Sequence, residues 1–379
     1  MSTEFPTPPE IRKKRGDLVK LYGKRWTRTE LEARIGRLEQ VGGLRRMTLS
    51  EGREEGVQQI EVRTGAGLAY YVSPMRGMDI SRTEFESVPI SWQSPNGDVH
   101  PSYYDPNGVE WNRTAVGGLL MTCGLTQVGT PCEEAGHRYG LHGRAHHTAA
   151  RQVNSEGAWV GEEFEITIKG VVEESQISGE IITLTRKITS RLGENKIWIN
   201  DEVENRGQVP SPHMILYHFN FGFPLMMERT RIGFPARQVV ARDKGTPVTG
   251  YDMWNPPQEH YRERVYYHEI REDVQGLDPS HDDGTTATVV ISNPDFPFAD
   301  GAGRRTLNVR VTWDTHHLAR LVQWKMPGVG THVLGIEPAN CHVEGRAAER
   351  KKSSLVVLEP GEKASYSLVV EVDATVSSD

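Results

Sequence analysis

Two hydrophobic rhythms divide the chain. Near the N-terminus Leu31, Ile35 and Leu38 recur at helical spacing, Thr29 and Glu32 stand in a capping-box relation, and Gly42-Gly43 supplies a stop. One amphipathic helix is predicted there, inside an N-terminal extension of residues 1–45. Beyond it the period changes to two. Ile182, Leu184 and Ile188 alternate with Thr183, Thr185, Lys187 and Thr189, as in a strand with one buried and one wet face. The same alternation returns with Ile197, Ile199 and Val203, with Leu307, Val309, Val311 and Trp313, and with Tyr366, Leu368, Val370 and Val372.

Turn residues punctuate these runs, as in LGENK at 192–196 and LEPGEKA at 358–364. No strand–helix–strand rhythm is present, so the expected fold is an all-β, antiparallel sandwich over residues 46–379. Residues 243–262, rich in Pro, Tyr and Trp, read as a long loop, and such a loop in a compact domain is often functional.

Composition narrows the function classes. The 379 residues carry a net charge of −7 and only one short basic run, IRKKR at 11–15. Phosphate neutralisation needs clustered Lys and Arg, so no nucleic-acid partner is expected. Neither a signal-peptide core nor a run of 18 apolar residues occurs, and the three cysteines, Cys123, Cys132 and Cys341, lack CxxC spacing. A cytoplasmic protein without a membrane partner is the expectation.

Candidate chemistry sits in polar clusters within strand-like sequence. In LYHFNFGFP the alternation puts Tyr217, Phe219 and Phe221 on one face and Leu216, His218 and Asn220 on the other. The plainer reading is a hydrogen-bonded pair that fixes register; the functional one is a general acid oriented by an amide. Glu337, between Ile336 and Pro338, reads as a carboxylate at a strand end, either a surface turn residue or a desolvated base.

GLHGRAHH groups His142, His146 and His147 around Arg144. Without a neighbouring carboxylate this is an incomplete ligand set, and no metal or cofactor is expected. Arg76 and Arg144 suit hydroxyl-rich ligands, with an Arg76–Asp79 ion pair as the plainer alternative. Trp92, Trp254, Trp313 and Trp324 could stack on a sugar ring or fill a core. No GxSxG, HExxH, GxGxxG or Walker signature competes.

Taken in order, RGMDI, GGLLMTCGL, GLHGR, YHFNFGFPL, QWK and GIEPANC resemble the aldose 1-epimerase-like proteins of a little-characterised branch of the galactose mutarotase superfamily. The resemblance runs from about residue 60 to the C-terminus. It implies a β-supersandwich with a sugar in a concave cleft, and ring opening by a histidine acid and a glutamate base.

Carried onto this chain, the resemblance makes Glu337 the base, His218 the acid and His142 a ligand of the sugar oxygens. Arg76, Asp79, Arg144, Asn220 and Lys325 are further substrate-binding candidates. The sequence departs from the family pattern in placing Tyr217 before His218 and only Phe219 before Asn220, which leaves His213 and His268 as fallback acids. His146 and His147 also depart from the pattern, and together with Trp254 they stand as additional candidates. The expected partner is a small sugar, with homodimerisation open. Three functions compete: an aldose 1-epimerase; an isomerase, epimerase or lyase that takes a carbon-bound proton, with or without a metal; and a non-catalytic sugar-binding protein.

Overall fold

Period-two segments become strands here because each inward side chain finds an opposing sheet to bury against. The computed structural model describes residues 18–271, 286–299 and 305–376; the IRKKR run lies outside them. The four stretches read as strands fall in Ile181–Arg191, Lys196–Asn205, Arg305–Asp314 and Lys363–Val376. They belong to an eight-stranded sheet that also contains Arg151–Val160, Glu163–Ser175, Thr286–Asn293 and Arg231–Gly233. Both predicted turns join strands as expected.

A twelve-stranded sheet packs against the first. Six of its strands carry or flank the site: β1 (Asp79–Phe85), β2 (Leu120–Leu125), β3 (Ser211–Phe221), β4 (Arg264–Ile270), β5 (Arg320–Gly328) and β6 (Thr331–Ala339). Across the sheet they run β4-β5-β6-β3-β2-β1, each pair antiparallel. The all-β sandwich is therefore the architecture, built on a pair of large sheets.

Ile182, Leu184, Ile199, Val311 and Leu368 of the smaller sheet meet Tyr70, Val72, Ile215, Tyr217 and Phe219 of the larger in one core. The N-terminal segment joins that core through Val19, Leu21, Leu31 and Val41. A second apolar cluster, including Trp111, Met121, Leu216, Val265, Val322 and Val343, covers the outer face of the large sheet. The central strand β3 is thus buried on both faces.

Two expectations change. The N-terminal helix spans only Arg28–Glu32, and its capping box is formed by Thr27 and Glu30 rather than by Thr29 and Glu32. A break containing Gly36 and a 3-10 turn at Leu38–Gln40 follow. Leu31 is buried, and Ile35 and Leu38 pack partly on the core, so two short turns satisfy the spacing that suggested one helix. The supposedly wet face of 182–189 is only partly wet, because Thr183 and Thr189 are buried.

Arg186 explains a polar break in the inward pattern of its strand. It shares the face of Ile182, Leu184 and Ile188, and its guanidinium bonds Asp201 at 2.6 Å and Asp79 at 2.9 Å. Tyr217 donates its hydroxyl to Asp201 at 2.7 Å. This charge cluster ties the sheets together beneath the site. Residues 243–262 form the expected loop, free of helix and strand. Among the described residues no helix is long and apolar enough to cross a membrane.

Candidate active site

Strand register builds the centre of the site. The β3–β6 ladder pairs Asn220 with Gly335, Phe219 with Ile336 and Leu216 with Ala339. Within the interval between the last two, that register sets His218 opposite Glu337. On the flanking strands Met121 of β2 pairs with His218 and Val322 of β5 pairs with Glu337. Side chains directly opposite on one face are the closest cross-strand neighbours in a sheet. His218 Nε2 accordingly lies 3.2 Å from Glu337 Oε1. Glu337 was expected at a strand end, but β5 pairing continues through Pro338 to Ala339; Pro338 falls in the unpaired interval toward β3, where its missing N–H costs nothing.

Gly335 makes the approach possible. A Cβ there would stand 2.6 Å from Glu337 Oε1, 2.9 Å from Trp324 Cβ and 3.1 Å from His218 Cε1. The loop after β2 brings in the third group. His142 adopts φ +57°, its N–H bonds Gly129 O, and its own carbonyl accepts from Gly124 N–H. Gly143 follows at φ +72°, where a Cβ would come within 2.4 Å of Gln127 O and Gly124 O. Only glycine fits that crossing. The His142 ring ends 6.0 Å from the His218 ring, edge to face.

These groups line a cleft of about 540 Å³ walled by Trp92, Trp111, Trp324, Met121, Arg242 and Glu263. Trp324 packs edge-on against both His218 and Trp92 and donates Nε1–H to Glu263 at 2.9 Å. Arg242 is neutralised by Asp243 and Glu263, so it brings no free charge to the cleft. Trp111 Nε1, His142 Nδ1, His218 Nδ1 and Glu337 Oε1 are buried without a hydrogen-bond partner. Buried polar atoms in folded proteins are nearly always satisfied, so these four leave unmet hydrogen-bonding capacity along one cleft wall.

Burial dominates the electrostatics. Loss of hydration pushes Glu337 well above the ordinary carboxylate range and His218 down to about 3, with His142 adding to the latter. His142 is likewise pushed down to about 4 by burial. Burial thus disfavours both charged forms, and a proton shared by the His218–Glu337 pair is favoured on the carboxyl over the imidazole.

The structure gathers His142, His218 and Glu337 at the cleft, with Trp92 and Trp324 beside them, but places most of the other candidates elsewhere. Arg76 is fully buried and spends its fork on Val99 O and Thr114 O. Asp79 accepts from Thr122, Arg186 and His146, and so belongs to the charge cluster below the site. Arg144 is exposed outside the cleft lining. Lys325 falls on the opposite face of β5 from Trp324 and donates to Gly250 O and Met253 O, pinning the 243–262 loop. Asn220 lies beside the pair and donates to His218 O.

The fallback acids are displaced by the same alternation. His213 shares the inward face of Ile215 and Tyr217 and bonds Tyr366 at 2.7 Å. His268 bonds Gln323 beneath β4 and β5. Trp254 is buried against His332, and Trp313 is core. His146 bonds Asp79 at 2.6 Å, while His147 bonds Thr114 and stacks on Tyr104, both packed behind Trp111.

Sequence reasoning missed Trp111, Met121, Arg242 and Glu263. Trp111 lies in a short 3-10 turn, where no periodicity marks a facing direction, whereas Met121 could have been found from its place in the GGLLMTCGL strand.

A family model described as a domain of unknown function (DUF4432) matches residues 54–372. No match was found among curated proteins. Among solved structures, a candidate aldose 1-epimerase from Klebsiella pneumoniae subsp. pneumoniae MGH 78578 is similar at 23% identity and a TM-score of 0.74, over 92% of this chain and 90% of that one. A galactose mutarotase-like protein from Clostridium acetobutylicum matches at 13% identity and a TM-score of 0.56, over 89% and 100%. A galactose 1-epimerase from Lactobacillus acidophilus NCFM matches at 11% identity and a TM-score of 0.51, over 88% and 99%. Identities this low speak to the fold alone.

Proposed function

The chain belongs to the DUF4432 family, within the galactose mutarotase superfamily, and we propose that it is a carbohydrate isomerase of the aldose 1-epimerase type. The observation that carries this reading is the His218–Glu337 cross-strand pair, 3.2 Å apart at the floor of a tryptophan-walled cleft.

A cyclic sugar carries its ring oxygen and its anomeric hydroxyl on one carbon. Neighbouring acid and base groups can therefore reach both oxygens from one side. His218 donates a proton to the ring oxygen while Glu337 takes the hydroxyl proton, the ring C–O bond breaks, and an open-chain aldehyde forms. Rotation about the adjacent C–C bond turns the other face of the carbonyl to the returning hydroxyl, and the protons go back as the ring closes. No proton is gained or lost over the cycle.

The reaction requires one proton on the pair. Burial in the dry cleft favours it on Glu337, and a sugar hydroxyl donating to the carboxylate favours its passage to His218. His142, held neutral, and Trp111 Nε1–H supply hydrogen bonds to ring hydroxyls, and Trp324 and Trp92 offer faces to the sugar's C–H surface. Replacing Glu337 by Gln keeps the shape and removes the proton acceptor. Calorimetry should show sugar affinity within about threefold of wild type, while polarimetry shows anomeric turnover lost; equal turnover refutes the assignment.

A further inference from the structure

Outside the cleft, the chain leaving β6 builds a second polar centre. From Asn340 to Gly345 it alternates: Cys341 and Val343 turn inward, Val343 reaching the cleft wall, while His342 and Glu344 point to the other side. The short helix Arg346–Lys351 then brings Glu349 beneath them. One ligand-type atom from each of His342, Glu344 and Glu349 lies within 4.8 Å of the others.

Glu349 gives this cluster its meaning. It is fully buried, its Oε2 accepts from Ser354 Oγ at 2.8 Å, and its Oε1 has no hydrogen-bond partner. That free oxygen faces His342 Nδ1 at 3.9 Å, too far for a hydrogen bond. Leaving a buried carboxylate oxygen unpaired is costly. A cation between oxygen and imidazole satisfies both, since zinc takes nitrogen and carboxylate ligands at about 2.0–2.2 Å.

We propose that His342, Glu344 and Glu349 form a binding site for a divalent transition-metal ion of the zinc type. Imidazole with two carboxylates suits zinc better than magnesium or calcium, which prefer all-oxygen sets. Outer partners orient the ligands as in metal sites: Tyr267 donates to Glu344 Oε1 at 2.8 Å and Ser354 holds Glu349. The Lys352 ammonium, half-exposed and 3.3 Å from Glu344 Oε2, swings out to solvent when the metal enters. The ligands are wider apart than a closed tetrahedral set, and the half-buried His342 and Glu344 side chains supply the closure. The ion clasps the segment whose Val343 lines the cleft, away from His218 and Glu337, so its role is to hold the wall rather than to take part in proton transfer.

The test is zinc titration of the chelator-treated, dialysed full chain by calorimetry, with thermal unfolding beside it. One zinc per chain is expected, with a thermal midpoint raised by several degrees. His342→Ala and Glu344→Gln, both at half-buried positions that folding tolerates, should each weaken binding by at least about tenfold and abolish the thermal shift. Absence of stoichiometric zinc, or affinity within twofold of wild type in both variants, overturns the proposal.

Discussion

Gly335 precedes Glu337 by two residues on the same face of β6, and a Cβ at 335 would lie 2.6 Å from Glu337 Oε1. The β3–β6 register that sets His218 against Glu337 sets Asn220 against Gly335, so the small residue is what lets the larger pair converge. Replacing Gly335 by Ala should leave a folded sandwich at a cost of about 1–3 kcal/mol from overpacking. It should also push Glu337 off His218 and reduce anomeric turnover at least about tenfold. Thermal unfolding beside polarimetry separates the two effects; unaltered turnover would show that the pair does not depend on this spacing.

Asp79 should behave as a structural anion. Asp79→Asn removes one of the two carboxylates that pair with the fully buried Arg186, leaving Asp201, and weakens the acceptor of His146. Breaking a buried pair on one side costs about 3–5 kcal/mol. Urea unfolding should register a loss of that size while the folded variant keeps its sugar affinity. Intact stability with weakened binding would return Asp79 to the ligand.

Buried histidines should make the fold acid-sensitive. Burial pushes His213 and His268 down to about 4 and His218 to about 3, against an ordinary value near 6.5. Between these values the unfolded chain binds protons that the folded chain refuses. Stability therefore rises with pH through this window and is lost as pH falls from about 6.5 toward 4, each group contributing up to about 1.4 kcal/mol per pH unit. Buried carboxylates such as Asp79 and Glu337, whose values burial raises, act in the opposite sense, so the histidine contribution is read as a difference: urea midpoints from pH 7 to pH 4 should fall less in His268→Gln than in wild type. An identical pH dependence in the two would contradict the burial of that ring.

The pH–rate profile follows from the proton count of the proposed His218–Glu337 acid–base pair. Below the depressed His218 value both groups are protonated and no base is left; above the raised Glu337 value neither is, and no acid is left. Ordinary values would confine the one-proton state to a narrow interval. Here the acid limb of kcat/KM should lie far below 6.5 and its alkaline limb well above 4.5, as macroscopic steps of the pair in the free protein. A single sigmoid centred near 6.5 would mean that a solvated histidine controls the rate.

Legibility in the sequence depended on how a residue meets its neighbours. Strands such as 181–191 and 363–376 were readable because one face is buried against the other sheet, and β3 because its alternation separates Tyr217, Phe219 and Phe221 from His218 and Asn220. His218 and Glu337 stood out because polar chemistry interrupts apolar runs there, whereas His142 was singled out as a sugar ligand only through the family resemblance. The same signal misled at Arg76, Asp79 and Lys325, whose charges are bound by backbone carbonyls or by Arg186 out of reach of the cleft. Sequence does not distinguish a buried charge that holds the fold from one that waits for a ligand. Gly335 passed unnoticed because its importance lies in the register of two strands distant in sequence.

The central claim is that His218 and Glu337 move protons between the oxygens of a sugar. Proton NMR in deuterium oxide, with wild type and Glu337→Gln against a panel of neutral aldoses and uronic acids, tests it most directly. The account predicts faster anomeric exchange for at least one sugar with wild type only, and no deuterium entering carbon. Deuterium at carbon, or exchange no faster than without protein across the panel, would contradict it.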